Sequence, residues 1–437
     1  MPFGFTPENP DESENSQNPF SFGNFNEIFR QFSGMGLNFQ GLLSSLSGQG
    51  NPAALSKQII RDISRKFLSA HGEQPVSVSE LNATREAFNI ADLWLNDATI
   101  FPPHSIPEIC AISRRDWIET TLAGWEEIAQ PLVEGINSAM TQMLNENLGE
   151  GDQPLANLGF PGMNISKSGI ASIMGTFMSS LISTQLGQTI GQLSTSVTGA
   201  NDVAIPLATP SSPYLIPQNV RVWGDGLEID ETEIRIYLAL RELAASRLFS
   251  ATPWLRTYIK DSIAKYGKGI HVDITAITEQ AQDAINSGEI DPSNPESLSL
   301  ALSGGMFTPE ESDAQRAALE KLETVLALVE GWIDAAVEHA AKDRLPSIMR
   351  LRETQQRRRA TNSPTQQLFA SLVGLEVSPR KMREAMSFCQ KIVELQDVGF
   401  RDRIWEEAFL LPTSDQLLDP EGFIKSRIVP DDLSSLS

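Results

Sequence analysis

Cysteine and histidine are scarce in this chain: two and four among 437 residues. Cys110 and Cys389 lie far apart and form no Cys-x-x-Cys pair. A disulfide framework is therefore excluded, and a reducing, cytoplasmic setting is expected. His71, His104, His271 and His339 share no ligand spacing, which excludes the common imidazole metal motifs. Basic residues are outnumbered, 34 against 56 acidic, for a net charge of -22. That field repels phosphate backbones and anionic lipid, so no nucleic-acid partner is expected. A phosphate-binding Gly-x-x-x-x-Gly-Lys loop, a Gly-x-Gly-x-x-Gly turn after a strand and a Gly-x-Ser-x-Gly elbow are all missing. The N-terminus has neither a basic start nor an apolar stretch, so no secretory leader is expected.

A long apolar run is also lacking. Ser168 to Asn201 carries no charge, but it is crowded with Ser, Thr, Gln and Gly. Those residues make transfer into lipid unfavourable, so no membrane span is expected. The segment reads as a buried helix in which Gly187 and Gly191 let another helix come close.

What the chain does have is helical periodicity. Residues 1–53 form an Asn-, Pro-, Ser- and Gly-rich tail, expected to be disordered except for a short amphipathic helix over 26–47. The folded body begins near Ala54 and is read as helical regions over 54–200 and 201–427, with a tail over 428–437. Helices are expected over 57–70, 79–97 with Ser79 as N-cap, 113–148 behind Ser113 and Asp116, and 169–197. Prolines 206, 210, 213 and 217 imply irregular chain with one short strand at Val220–Trp223. Asp230 with Glu233 fits a capping box for a helix to about Phe249. Another helix follows Pro253, and a long one runs from Ser312 or Asp313 to about Lys342, broken at Leu345-Pro346. Strand-like alternation is scarce, so the fold class is all-α or nearly so.

Three separated blocks carry the chemistry. One is Tyr237-Leu-Ala-Leu-Arg-Glu-Leu-Ala-Ala-Ser-Arg-Leu-Phe249, followed by Pro253-Trp254-Leu255. Another is Leu326-Ala-Leu-Val-Glu-Gly-Trp-Ile-Asp334. The third is Phe369-Ala-Ser-Leu-Val-Gly-Leu-Glu-Val-Ser-Pro-Arg380. With Trp117, Trp125 and Ala204-Ile205-Pro206-Leu207, and in this order, they resemble the zincin-like metallopeptidase type 2 family, found mostly in actinobacteria. The likeness spans roughly Ile59 to Ile424. It implies a hydrolase with zinc held by a His-Glu-x-x-His helix and by a third, acidic ligand from the Glu-Gly-Trp segment. In such a helix positions i and i+4 share a face, so two imidazoles grip one ion and the Glu acts on its water.

This chain departs from that pattern. Arg241 stands at the first His position and Ala245 at the second, whereas Glu242 and Glu330 remain, with Asp334 one turn on. A guanidinium has no lone pair to give and a methyl group has no donor atom. No bound metal is therefore expected, although zinc is the family's cofactor. His339, nine residues beyond Glu330, falls on the opposite helix face. Glu242 reads either as a relic base or as one member, with Arg241, Glu330 and Asp334, of a buried ion network tying two helices. Glu323 shares the face of Glu330 and Asp334. The arginines at 350, 352, 357, 358 and 359 read as a solvated helix face rather than an anion site. Met174 and Met178 read as packing, and Cys389 as a core thiol. The expected function is a protein- or peptide-binding scaffold with a decayed zinc site. The alternative is an active peptidase using Glu242 with unusual ligands. A third reading is a structural or assembly role through the helices at 26–47 and 169–197.

Overall fold

A computed structural model of the chain describes residues 54–147, 167–208, 210–269, 312–364 and 379–427. The readings for the tails, the loop near 286–303, His271 and most of the Phe369–Arg380 block lie outside them. So do those for the Met174 and Met178 side chains. The chain divides into two units, Met1–Gly50 with Met143–Ser172 and Val272–Pro309, and Asn51–Gln142 with Ile173–His271 and Glu310–Ser437. Nearly all of the first lies outside the described residues, and the helical core belongs to the second.

The described residues are helical and contain no named strand. In order the helices are α1 (Lys57–His71), α2 (Val78–Leu95), α3 (Arg114–Asn147), α4 (Lys167–Ser194), α5 (Pro217–Gly224), α6 (Glu231–Ala251), α7 (Trp254–Lys268), α8 (Asp313–Ala341), α9 (Ile348–Asn362), α10 (Pro379–Leu395), α11 (Val398–Arg403) and α12 (Pro420–Arg427). Two short 3-10 turns, Ala408–Leu410 and Asp415–Leu418, precede α12.

Side-chain caps fix several of the helix starts. Ser77, not Ser79, caps α2: its hydroxyl accepts from the Glu80 amide, and Glu80 accepts from the Ser77 amide. Ser113 and Asp116 exchange the same two bonds before α3, and Ser312 and Gln315 do so before α8. Each reciprocal pair satisfies two amides that the helix leaves open. Asp230 caps α6 through the Thr232 amide, but Glu233 does not close a box. Its carboxylate instead accepts from the Ser347 amide ahead of α9, trading a local bond for one that ties two helices.

The expected strand at 220–223 is helix α5. Pro217 occupies its first turn, where the missing N–H costs nothing. Val220 and Trp223 are buried at i,i+3 spacing, while Val222 is 57% exposed. A strand would have put 220 and 222 on one face.

Helix α4, uncharged beyond its first residue Lys167, is packed as its glycines suggest. A Cβ at Gly187 would lie 2.8 Å from Ile63 Cβ, and one at Gly191 would lie 2.7 Å from Phe67 Cβ, both on α1. Ser64 of α1 donates to the Gly187 carbonyl at 2.9 Å. Two bare patches on α4 thus seat one face of α1. No helix among the described residues is long and apolar enough to cross a membrane.

Helices α6 and α8 form the centre. From Ile236 to Phe249 every residue of α6 is buried, and α8 is buried from Thr324 to Ile333 without a break. A helix apolar nearly all round is enclosed by others, and α8 packs on α10, α7, α6, α2 and α9. Gly331 sets the α8–α10 spacing: a Cβ there would lie 2.5 Å from the Met386 amide nitrogen. Because the obstacle is backbone, no rotamer change relieves it. Gly331→Ala is expected to cost about 1–3 kcal/mol, read as a lowered urea midpoint. An unchanged midpoint would mean that the two helices separate freely.

Candidate functional site

Arg241 of α6 and Glu330 and Asp334 of α8 meet in the core. The Arg241 Nη2 donates to Glu330 Oε2 at 2.8 Å, and Nη1 pairs with Asp334 Oδ1. Glu330 and Asp334 are one helical turn apart, so both reach the same guanidinium. Arg241 is 6% and Glu330 4% exposed. Burial disfavours the charge on Arg241, but Asp334, then Tyr237 and Glu330, outweigh it and hold its pKa above the ordinary value. Burial pushes Glu330 up, against the pull of Arg359 and Arg241.

Arg359 of α9 extends the network. Its Nη2 lies 3.0 Å from Glu330 Oε1 and donates to Asp202 Oδ1 at 2.6 Å and to the Asp202 carbonyl at 2.7 Å. Asp202 also accepts from the Thr198 amide at 2.8 Å and the Thr198 hydroxyl at 3.1 Å. Burial raises the Asp202 pKa, yet Arg359 and the Thr198 donors together bring it below the usual carboxylate range. The other arginines of this segment form a solvated face only in part. Arg358 donates to the Trp223 carbonyl and lies over its ring, Arg352 pairs with Glu338, and Arg350 reaches the Leu227 carbonyl. Arg357, paired with Glu353 at the surface, and Arg350, which is also exposed, fit that expectation. Glu323 also lies outside the network, paired instead with Lys381 of α10.

Glu242 makes no ion pair with Arg241, which departs from the second of the two sequence readings, the one that placed it in the ion network. Adjacent residues on a helix point about 100° apart, and Glu242 faces the chain between α4 and α5. There Oε1 accepts from Asn201 Nδ2 at 2.8 Å, the Asn201 amide at 3.1 Å and the Tyr214 amide at 3.2 Å, and Oε2 lies 3.0 Å from the Asn201 amide. Three short segments hold those amides in place. Leu215 bridges to Ala111 on one side and to Gly199 on the other. The bonds Leu215 N to Cys110 O, Ile112 N to Leu215 O and Ile216 N to Thr198 O, all 2.9–3.0 Å, lock the arrangement. Gly199 makes it possible, since a Cβ there would lie 2.4 Å from Glu242 Oε2. Burial pushes the Glu242 carboxyl up to about 8, with Asp202 adding to the shift and the amide donors opposing it.

Ala245 is 2% exposed and its methyl is part of the core. His104 contacts Ser250 at 3.2 Å. Burial, with the nearby cations Lys342 and Arg401, depresses His339. Cys110 and Cys389 are free and buried, and burial pushes the Cys389 thiol up to about 12, which leaves it unreactive.

Zinc does not fit this set of side chains. Two of the positions that would hold it offer no donor atom. Arg241 donates to one oxygen of Glu330, the other accepts no hydrogen bond but lies 3.0 Å from the Arg359 guanidinium, and Glu242 is enclosed by amides. Among the described residues no group of three or more His, Cys, Asp or Glu is placed to hold a metal. Sequence reasoning missed Asp202, Asn201, Tyr214, Gly199 and the role of Arg359. The nearest signal was the Ala204–Leu207 block, just beyond Asp202.

A family model described as zincin-like metallopeptidase matches residues 57–424. No curated protein matches the chain. Among solved structures, a crystal structure from Chloroflexus aurantiacus, described as "a putative hydrolase with a novel fold", aligns with a TM-score of 0.56 at 16% identity. The alignment covers 85% of this chain and 98% of that one. At that identity the likeness concerns the fold alone.

Proposed function

This chain belongs to the zincin-like metallopeptidase family, and we propose that it acts there as a non-catalytic scaffold that holds a protein or peptide without cleaving it. One observation carries the reading: at the first motif position a guanidinium, not an imidazole, is gripped by the acids at 330 and 334. A zinc site of this type needs three good donors around an open position, and only the acidic one, Glu330, is left. The net charge of -22 directs the partner away from nucleic acid and towards a protein or peptide. Both buried cysteines are free, which supports a cytoplasmic location.

Elemental analysis of tag-free protein, purified without chelator and dialysed, is expected to give well under one zinc per chain. A stoichiometric ion would sink the proposal. The alternative, an active peptidase, is favoured by the elevated pKa of Glu242, which suits a group that exchanges protons near neutrality. It predicts chelator-sensitive cleavage of unfolded protein that Glu242→Gln abolishes. The scaffold reading expects no cleavage from either form.

A further inference from the structure

We infer that Arg241 and Arg359 together replace a divalent ion in this protein, charge for charge. The inference rests on the degenerate-site reading above and adds a second residue to it, one that no motif points to. Asp334, Arg241, Glu330, Arg359 and Asp202 form an unbroken line of alternating charge. It joins α8, α6, α9 and the turn after α4. The two guanidiniums bring two positive charges, the charge of one zinc ion, and they are fixed there because Arg stays protonated at any pH the fold survives. Glu330 is the shared member, with one oxygen 2.8 Å from Arg241 and the other 3.0 Å from Arg359. Neither arginine lies at the surface: their side chains are 7% and 9% exposed. Buried carboxylates need such counter-charges, and a pair of guanidiniums supplies them without a metal.

The consequence is specific. Restoring both histidines removes one cation and leaves the other. Arg359 would still lie 3.0 Å from Glu330 Oε1 without hydrogen-bonding it, and its charge would repel an incoming ion inside a poorly screened core. Zinc should therefore require a third change, at a residue outside the motif.

The experiment compares full-length wild type, Arg241→His/Ala245→His, and Arg241→His/Ala245→His/Arg359→Gln. Each is dialysed against zinc chloride and then metal-free buffer. Zinc per chain is read by elemental analysis, helicity by far-ultraviolet circular dichroism, and Tm with and without zinc. The double variant is expected to hold less than a tenth of an equivalent of zinc, with its Tm unmoved by the ion. The triple variant is expected to hold close to one equivalent and to gain several degrees with zinc. A double variant that fills with zinc would overturn the inference. So would a triple variant that folds without taking zinc, or one that stays unfolded in its presence. Arg359→Gln alone, in the otherwise native chain, is expected to lower Tm by several degrees, and an unchanged Tm would also overturn it. Zinc in the wild type would instead sink the degenerate-site reading, so the two failures are distinguishable.

Discussion

Asp402→Ala is expected to lower stability by about 3–5 kcal/mol, the range for breaking one partner out of a buried ion pair. Asp402 and Arg401 are both fully buried. The Asp402 Oδ1 accepts from Trp332 Nε1 and Arg401 Nε, each at 2.8 Å, and Oδ2 accepts from the Thr99 hydroxyl at 2.6 Å and the Ile100 amide at 2.8 Å. One carboxylate thus fastens α11, the centre of α8 and the turn after α2. Without it Arg401 keeps only the Ala98 carbonyl and the face of the Trp332 ring, which are poor exchange for an opposite charge. Three further donors lose their acceptor as well. Denaturant unfolding of the variant checks the figure. Arg401→Met/Asp402→Ala should recover part of the loss, because it removes the stranded charge. A single variant within about 1 kcal/mol of wild type would refute the account, since even one unsatisfied buried donor costs about that much. The change also bears on the site. Trp332 sits two residues from Glu330, so the Asp402 contact fixes the rotation of α8 that turns Glu330 and Asp334 towards Arg241.

Features set by local chemistry were legible in the sequence. The starts of α3 and α8 follow from Ser113 with Asp116 and from Ser312, and the role of Gly187 and Gly191 follows from two gaps one turn apart. The contact of Arg241 with Glu330 and Asp334 was reachable too, because both helices have strong periodicity and the acids share a face. What escaped depends on chain that has no periodicity. The environment of Glu242 is built by Gly199, Asn201 and Tyr214, which lie in irregular chain shaped by tertiary bridges to 110–112. Arg359 was visible only as one of several arginines, and its burial depends on how α9 docks. At α5 the run of prolines misled, because the last of them, Pro217, starts a helix.

Burial raises Glu242 from the ordinary 4.5 to about 8, so between those values the folded chain holds a proton that the unfolded chain has released. Stability rises with pH only where the unfolded state binds more protons, and here it binds fewer. The contribution of Glu242 is therefore fully present below about pH 4.5, and it is lost as pH climbs through about 8. Glu242→Gln does not titrate and lacks this slope. At pH 5 the variant should be no more stable than wild type, because its amide brings N–H groups to a pocket already filled with donors. Between pH 5 and pH 9 the difference should move in the variant's favour by a few kcal/mol, at about 1.4 kcal/mol per pH unit across the window. Urea unfolding of both proteins at pH 5, 7 and 9 measures it, and other titrating groups cancel in the difference. Parallel profiles would mean that the Asn201 and Tyr214 amides balance the cost of burial. A difference moving the other way would mean that they exceed it, and that Glu242 is an anion held by amides.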